Sequence, residues 1–312
     1  MDIPIPVSRR AALADGFTDY ELRGRGWQRV RRGHYIDAAR AQGLDRVQRH
    51  LVAVHAAMAA ASSDAFVSHI SAAVAHELTV WSVPMSRVHV TRNRESGGRI
   101  RRQTVVHTGR IEPDEWLEIG GIPVTSVART VVDIARTEPF EQAVVVGDSA
   151  LRAGKTTRGE LLDQLERASR RIGTPAARRV LSFLDGRAEG IGESRSRVAL
   201  HNSGIPKPEL QAWIIDTNGS PVGRADFLWP ELGIVGEFDG NIKYHKELRG
   251  EHTTEQVEKC GEDALRALGW CVVRWTWAEL TDPEPLRTRI RAAAEISRTA
   301  PRLGTWQPSP RR

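Results

Sequence analysis

Hydrophobic residues recur along the chain with two different periods, and the switches between them mark the elements. Near the start, Val7, Ala11, Leu13 and Ala14 are spaced like one face of a short helix that Gly16 ends. Thr18 is placed to cap a second helix, TDYELRGRG, and Trp27, Val30, Tyr35 and Ile36 flank a tight turn at Arg32-Gly33, which predicts a two-stranded hairpin. Further on, the pattern predicts helices over 46–61 and 68–78 and strands at RVHVT (87–91) and QTVVHT (103–108). Residues 122–136 read as a strand running into a helix capped by Thr125 or Ser126, with more helix over 143–151 and 159–170. From about residue 183 the punctuation sharpens. A helix over 192–204 is closed by Gly204, ELQAWIIDT and VGRADFLW are strands joined at Asn218-Gly219, and a turn at 230–233 leads into the strand IVGEFDG. A helix over 253–269 and a final strand CVVRWTW follow.

These elements predict a mixed α+β and α/β chain in three parts and a tail. Residues 1–45 form a winged helix-turn-helix, 46–182 a mixed α/β middle region, and 183–298 a core in the order helix, three strands, helix, strand. The tail, 299–312, is rich in Pro and Arg and has little to bury, which predicts mobility.

The register of the second hairpin in the last part follows from its turn. Pairing Trp229 with Ile234 sets Asp226 opposite Glu237 and Arg224 opposite Asp239. Alternation then gathers Ala225, Phe227, Trp229, Ile234, Gly236 and Phe238 on one face, and the four charged residues with Leu228 and Val235 on the other. Directly opposed carboxylates destabilise a sheet. Two explanations stay open. A divalent cation, Mg²⁺ or Mn²⁺, would be held by Asp226 and Glu237 with Glu193 of the preceding helix as a third ligand. Alternatively, Glu237 is paired to a nearby Arg, Asp239 is bridged to Arg224, and Asp226 lies at an exposed strand end.

Composition narrows the class of partner. The 312 residues are 40% hydrophobic and 27% charged, ordinary for a folded chain of one or two domains. No apolar run reaches the roughly 18–20 residues of a membrane span, no secretory leader is visible, and two cysteines make no disulfide framework or metal quartet. The expected setting is the cytoplasm. The net charge of +6 is carried mostly by Arg, whose planar fork suits phosphate, although a codon bias toward Arg explains the composition equally well. Placement is more specific: Arg23, Arg25, Arg29, Arg31 and Arg32 cluster on the second helix and the wing, which points to duplex DNA. The loop RNRESGGRIRR is a second candidate phosphate contact. His69, His76, His89 and His107 have no spacing that demands a metal, so no chemistry is assigned to the middle region.

The residues from about 185 to 282 resemble the restriction-endonuclease-like core called PD-(D/E)xK, and more specifically a domain family related to very-short-patch-repair endonucleases. The resemblance rests on Glu193, the R-x-D-F strand with Asp226, the E-x-D-G strand with Glu237, and the closing V-V-R-W-T-W. It implies an αβββαβ fold and a Mg²⁺- or Mn²⁺-dependent endodeoxyribonuclease with Glu193, Asp226 and Glu237 as metal-binding carboxylates. Where that superfamily has a lysine two positions after the Glu, this chain has Asp239; Lys243, His245 or Lys246 would then have to supply the cation or base. The stretch ELRGRGWQRVRRGHYI, extending loosely through SHISAAVAHEL and GIPVTSVARTVVDIA, resembles the winged-helix region of AbiEi antitoxins. That resemblance implies DNA binding and autorepression of a toxin operon promoter, and with it a second expectation: a regulator whose nuclease fold is inactive. An RNA-processing enzyme is a third.

Overall fold

A computed structural model describes residues 3–240, 261–299 and 301–309, and shows a mixed α+β chain with three sheets among those residues. Internal contacts divide it into two units. One comprises the residues up to Ala150 with Gly154–Leu184, the other Leu151–Ala153 with the residues from Asp185 onward.

In the first unit, β1 (Val7–Ser8) precedes α1 (Arg9–Ala14), followed by α2 (Asp19–Arg23), β2 (Trp27–Arg31) and β3 (His34–Asp37). Val7 therefore belongs to a strand rather than to the helix its spacing suggests. Ser8 caps α1 by accepting from the Ala11 amide, and the helix buries Ala12 while Leu13 stays partly exposed. Thr18 caps α2 in a reciprocal capping box with Glu21. β1, β3 and β2 form a three-stranded antiparallel sheet, and Gly33 supplies the positive φ of 76° at the hairpin turn. Next come α3 (Ala38–Gln42), α4 (Arg46–Met58), β4 (Ala65–Val67), α5 (His69–Ala75), β5 (Val88–Arg92), β6 (Arg99–Ile100) and β7 (Thr104–Thr108). β8 (Trp116–Ile119), β9 (Ile122–Thr125), α6 (Val127–Thr137), α7 (Phe140–Arg152), α8 (Arg158–Arg167) and α9 (Thr174–Phe183) complete the order. The six strands β6-β7-β5-β4-β9-β8 form one sheet, in which β5 and β7 run parallel. Ser126, one of the two expected caps, accepts from the Arg129 amide to start α6. Val54, Val67, Val88, Val90 and Val124 pack as a core.

The second unit runs α10 (Ile191–Asn202), β10 (Glu209–Ile215), β11 (Pro221–Trp229), β12 (Ile234–Phe238), a helix α11 described over 261–267, β13 (Cys271–Trp275), α12 (Trp277–Thr281), α13 (Glu284–Ser297) and β14 (Thr305–Gln307). β10, β11 and β12 form an antiparallel meander and β13 joins β12 in parallel. The β11–β12 register is Trp229↔Ile234, Leu228↔Val235 and Phe227↔Gly236, as the turn arithmetic predicts. Both faces of the sheet are apolar: Leu200, Phe227, Trp229, Ile234, Trp275, Leu286 and Ile290 form one core, and Ile214, Leu228, Val235, Leu265 and Trp270 the other. Ala225, which alternation places with Phe227, packs instead with Leu228 and Val235. The tail corrects the expectation of mobility. Trp213, Ile214 and Ile215 pair with Gln307, Trp306 and Thr305, so β14 satisfies the open edge of β10, and Trp306 has an apolar face to pack against.

Candidate functional site

The acidic residues of the second unit are positioned by three elements. Glu193 lies in the first turn of α10. Directly before it, Gly192 packs so closely on Phe238 that an added Cβ would sit 1.9 Å from the ring, so this helix turn can approach β12 only without a side chain there. Asp226 lies on β11, and its Oδ2 accepts from the Phe238 amide at 3.1 Å. Gln211, on β10, reaches both carboxylates: its Nε2 donates to Glu193 Oε2 at 2.9 Å and lies 3.5 Å from Asp226 Oδ1. Glu193 Oε2 also accepts from the Glu189 amide at 2.9 Å.

Burial sets the electrostatics of this group. It pushes the Glu193 carboxyl up to about 7, against the lowering hydrogen bond from the Glu189 amide and with added repulsion from Asp226. Asp226 is raised too, first by burial and then by the charge of Glu237. Gln211 was missed by the sequence reading. It adopts φ = 56° within a strand, a left-handed backbone that costs a non-glycine residue about 1–3 kcal/mol. Its Oε1 is buried without a hydrogen-bond partner, an orphan acceptor beside two carboxylates. The amide turns its NH2 to both acids, so the two carboxylates suit a hard divalent cation and the Gln211 carbonyl would join them only after the amide turns over.

Glu237 occupies a different environment. Its Oε2 accepts from Arg274 Nε at 2.7 Å, across the β12–β13 pair in which the two residues are directly opposed. The nearby-Arg pairing is thus realised for Glu237. Arg224, however, bonds Glu189 at 2.9 Å rather than bridging Asp239. Asp239 follows the end of β12, its amide donating to the Trp275 carbonyl at 2.8 Å. Lys243, His245 and Lys246 lie outside the described residues.

The arginines of the first unit fall where the hairpin reading puts them. Arg23 ends α2, Arg25 follows it, Arg29 and Arg31 lie on β2, and Arg32 is in the turn. Arg23, Arg25, Arg29 and Arg32 are exposed, while Arg31 is half-buried and its guanidinium pKa is lowered by burial and then by Arg101. The loop over 92–102 contains the short strand β6, and Arg94 Nη2 donates to the Gly97 carbonyl at 3.1 Å.

No family model matches the chain. The chain is similar to two proteins of Mycobacterium tuberculosis, the uncharacterized protein MT2308 of strain CDC 1551 / Oshkosh and the uncharacterized protein Rv2248 of strain ATCC 25618 / H37Rv. Each is 32% identical over 181 residues, 58% of this chain and 64% of the relative. The chain thus matches less than two thirds of the length of these curated relatives. Among the described residues, no helix is long and apolar enough to cross a membrane.

Proposed function

We propose that this chain binds duplex DNA through the arginine-rich helix and hairpin of a winged helix-turn-helix, and hydrolyses phosphodiester bonds with a restriction-endonuclease-like core. The observation that carries the hydrolytic reading is the meeting of Glu193 and Asp226 at one buried Gln211 amide whose oxygen has no partner. Glu193, Asp226 and Gln211, with Glu237 released from Arg274, would hold Mg²⁺ or Mn²⁺. Such an ion supplies an activated water and neutralises charge on the transferring phosphate. Arg224 and Arg274, both partly exposed, line the same group of acids and supply cations for a DNA backbone. Glu193, with its carboxyl raised to about 7, can accept or release a proton near neutral pH. Lys243 and His245 are the proposed further catalytic residues.

A second reading is an AbiEi-like antitoxin that represses its own toxin operon from the cytoplasm with an inactive nuclease fold. It is favoured by the Arg274–Glu237 pair and by Asp239 at the usual lysine position. Supercoiled plasmid incubated with Mg²⁺ or Mn²⁺ separates the two. The hydrolytic reading expects nicking by the wild type and its loss in D226N and E193Q. Tight, salt-sensitive duplex binding without nicking selects the regulator, and preference for RNA over duplex at matched salt removes both.

A further inference from the structure

Three histidines that the sequence scatters over 69–107 converge in the first unit. His69 opens α5, His89 lies on β5 and His107 on β7. The parallel register places His89 opposite Val105 and Thr91 opposite His107, so His89 and His107 are two steps apart on one face of the sheet. One ring nitrogen from each of the three histidines lies within 4.8 Å of the other two. His89 Nδ1 is 3.2 Å from His107 Nε2, and the His69 and His107 rings stack with centroids 3.6 Å apart.

Other histidines of the unit show what ordinary structural partners look like. His50 meets the Met85 carbonyl and the Ser71 hydroxyl, each at 2.9 Å, and His76 meets the Thr125 carbonyl at 2.7 Å. The three converging rings also have polar contacts, His89 with His107 and His69 with the Ser68 hydroxyl, but they differ from His50 and His76 in bringing a ring nitrogen of each within reach of one common point. His69 also adopts φ = 50°, and a strained backbone at a chemically active side chain is a feature of ligand sites. The Ser68 hydroxyl lies 3.0 Å from His69 Nδ1 and itself accepts from the Thr91 hydroxyl at 2.8 Å, an outer contact that orients the ring.

We propose that His69, His89 and His107 form a binding site for a borderline divalent transition-metal ion of the Zn²⁺ class, with at least one coordination position left open. Imidazole nitrogens suit Zn²⁺ and disfavour Mg²⁺ and Ca²⁺, which take oxygen. A tetrahedral ion about 2.1 Å from each nitrogen sets them about 3.4 Å apart, so nitrogens now up to 4.8 Å apart draw together by as much as about 1.4 Å and the His69–His107 stack opens. Burial is the first cause holding all three imidazoles below their ordinary pKa, His89 at about 4, so neutral ligands are ready at pH 7. The buried Asp133 carboxylate favours positive charge at His69 and His107, opposed in part by Arg129 and Arg136. His89 and His107 are only half-buried, which gives an ion a way in. This site is independent of the hydrolytic reading.

Tag-free full-length protein, stripped with a chelator, is titrated with Zn²⁺ against a chromophoric competitor and with Co²⁺ by visible absorption. The expected result is an ion bound at micromolar or tighter affinity with a Co²⁺ spectrum of nitrogen ligands, and at least about a tenfold loss of that binding in H89Q and H107Q. E231Q, at an exposed carboxylate of the other unit that belongs to neither site, should bind as wild type. Circular dichroism identifies any variant that fails to fold, and S68A, which removes the outer contact and the acceptor of the Thr91 hydroxyl but no ligand, then serves as the second reading with an expected weakening of about tenfold. Absence of binding by the folded wild type, retention of full affinity in both histidine variants, or an equal loss in E231Q would overturn the proposal.

Discussion

The two units gather their titratable groups in opposite chemical keys. In the first, three imidazoles from α5, β5 and β7 face one another; in the second, two carboxyls from α10 and β11 meet over a glutamine of β10. Burial is the leading cause of every shift in both, and it favours the neutral form each time. The consequences differ. A neutral imidazole is already a metal ligand, whereas a protonated carboxyl has to lose its proton before it can bind a cation. The same desolvation therefore prepares one cluster and restrains the other.

The largest effect tests the support beneath each cluster. Arg129 is 2% exposed and binds Glu115 and Asp133, themselves 2% and 1% exposed, at 2.7 Å each. Removing one partner of such a buried group strands the remaining charges, so R129A should cost about 3–5 kcal/mol, read by urea denaturation of the first unit. In the second unit the two arginine pairs that include acids beside Glu193 and Asp226, Arg224–Glu189 and Arg274–Glu237, are partly exposed. Next in size is G192A. Its Cβ would collide with Phe238, and displacement of that ring should cost about 1–3 kcal/mol and loosen the turn that holds Glu193. A G192A protein as stable as wild type would show that α10 is free to move off β12.

How much of this was legible in the sequence depends on the distance over which each contact is set. The β11–β12 register was readable because a short turn and alternation fix it locally, and so was the capping of α2 and α6 by Thr18 and Ser126. The histidine cluster was not, because it depends on the parallel pairing of β5 with β7 and on a left-handed His69, neither of which leaves a local signal. Gln211 was hidden for the same reason: its φ of 56° sits inside a run that reads as plain strand. β14 was missed because Thr305–Gln307 is too short to show a period and gains its partners only from the edge of β10.

Acid titration should split the units in sign. The Glu193 carboxyl is raised in the folded chain from 4.5 to about 7, so the native state holds the extra proton between those values. Its contribution is favourable below about 4.5 and is lost as pH rises through 7. His89 is lowered from 6.5 to about 4, so its contribution is present above 6.5 and is lost as pH falls toward 4. Between pH 7 and 5, hydrogen exchange corrected for intrinsic rates should therefore show the second unit gaining protection while the first loses it. E193Q should flatten the first trend and H89Q the second. Parallel slopes in both units would mean that other groups dominate and that the contrast drawn above is wrong.

The smallest effect on stability is the most informative about function. Arg274 and Glu237 have side chains 41% and 28% exposed, and a pair that wet is worth about 0–1 kcal/mol. Arg274 also lies 3.4 Å from Glu262, another partly solvated contact. R274A should thus leave the midpoint of unfolding almost unchanged. It should nonetheless free Glu237 to turn toward Asp226, which already feels the charge of Glu237. If Glu237 is a ligand in waiting, Mn²⁺ affinity in R274A rises several-fold at pH 8, where Glu193 is ionised, and hardly at all at pH 6, where the Glu193 proton still competes. If Mn²⁺ affinity is the same in R274A and wild type at both pH values, Glu237 belongs to a surface ion pair and to nothing else, and the regulator with an inactive core becomes the better account of the second unit.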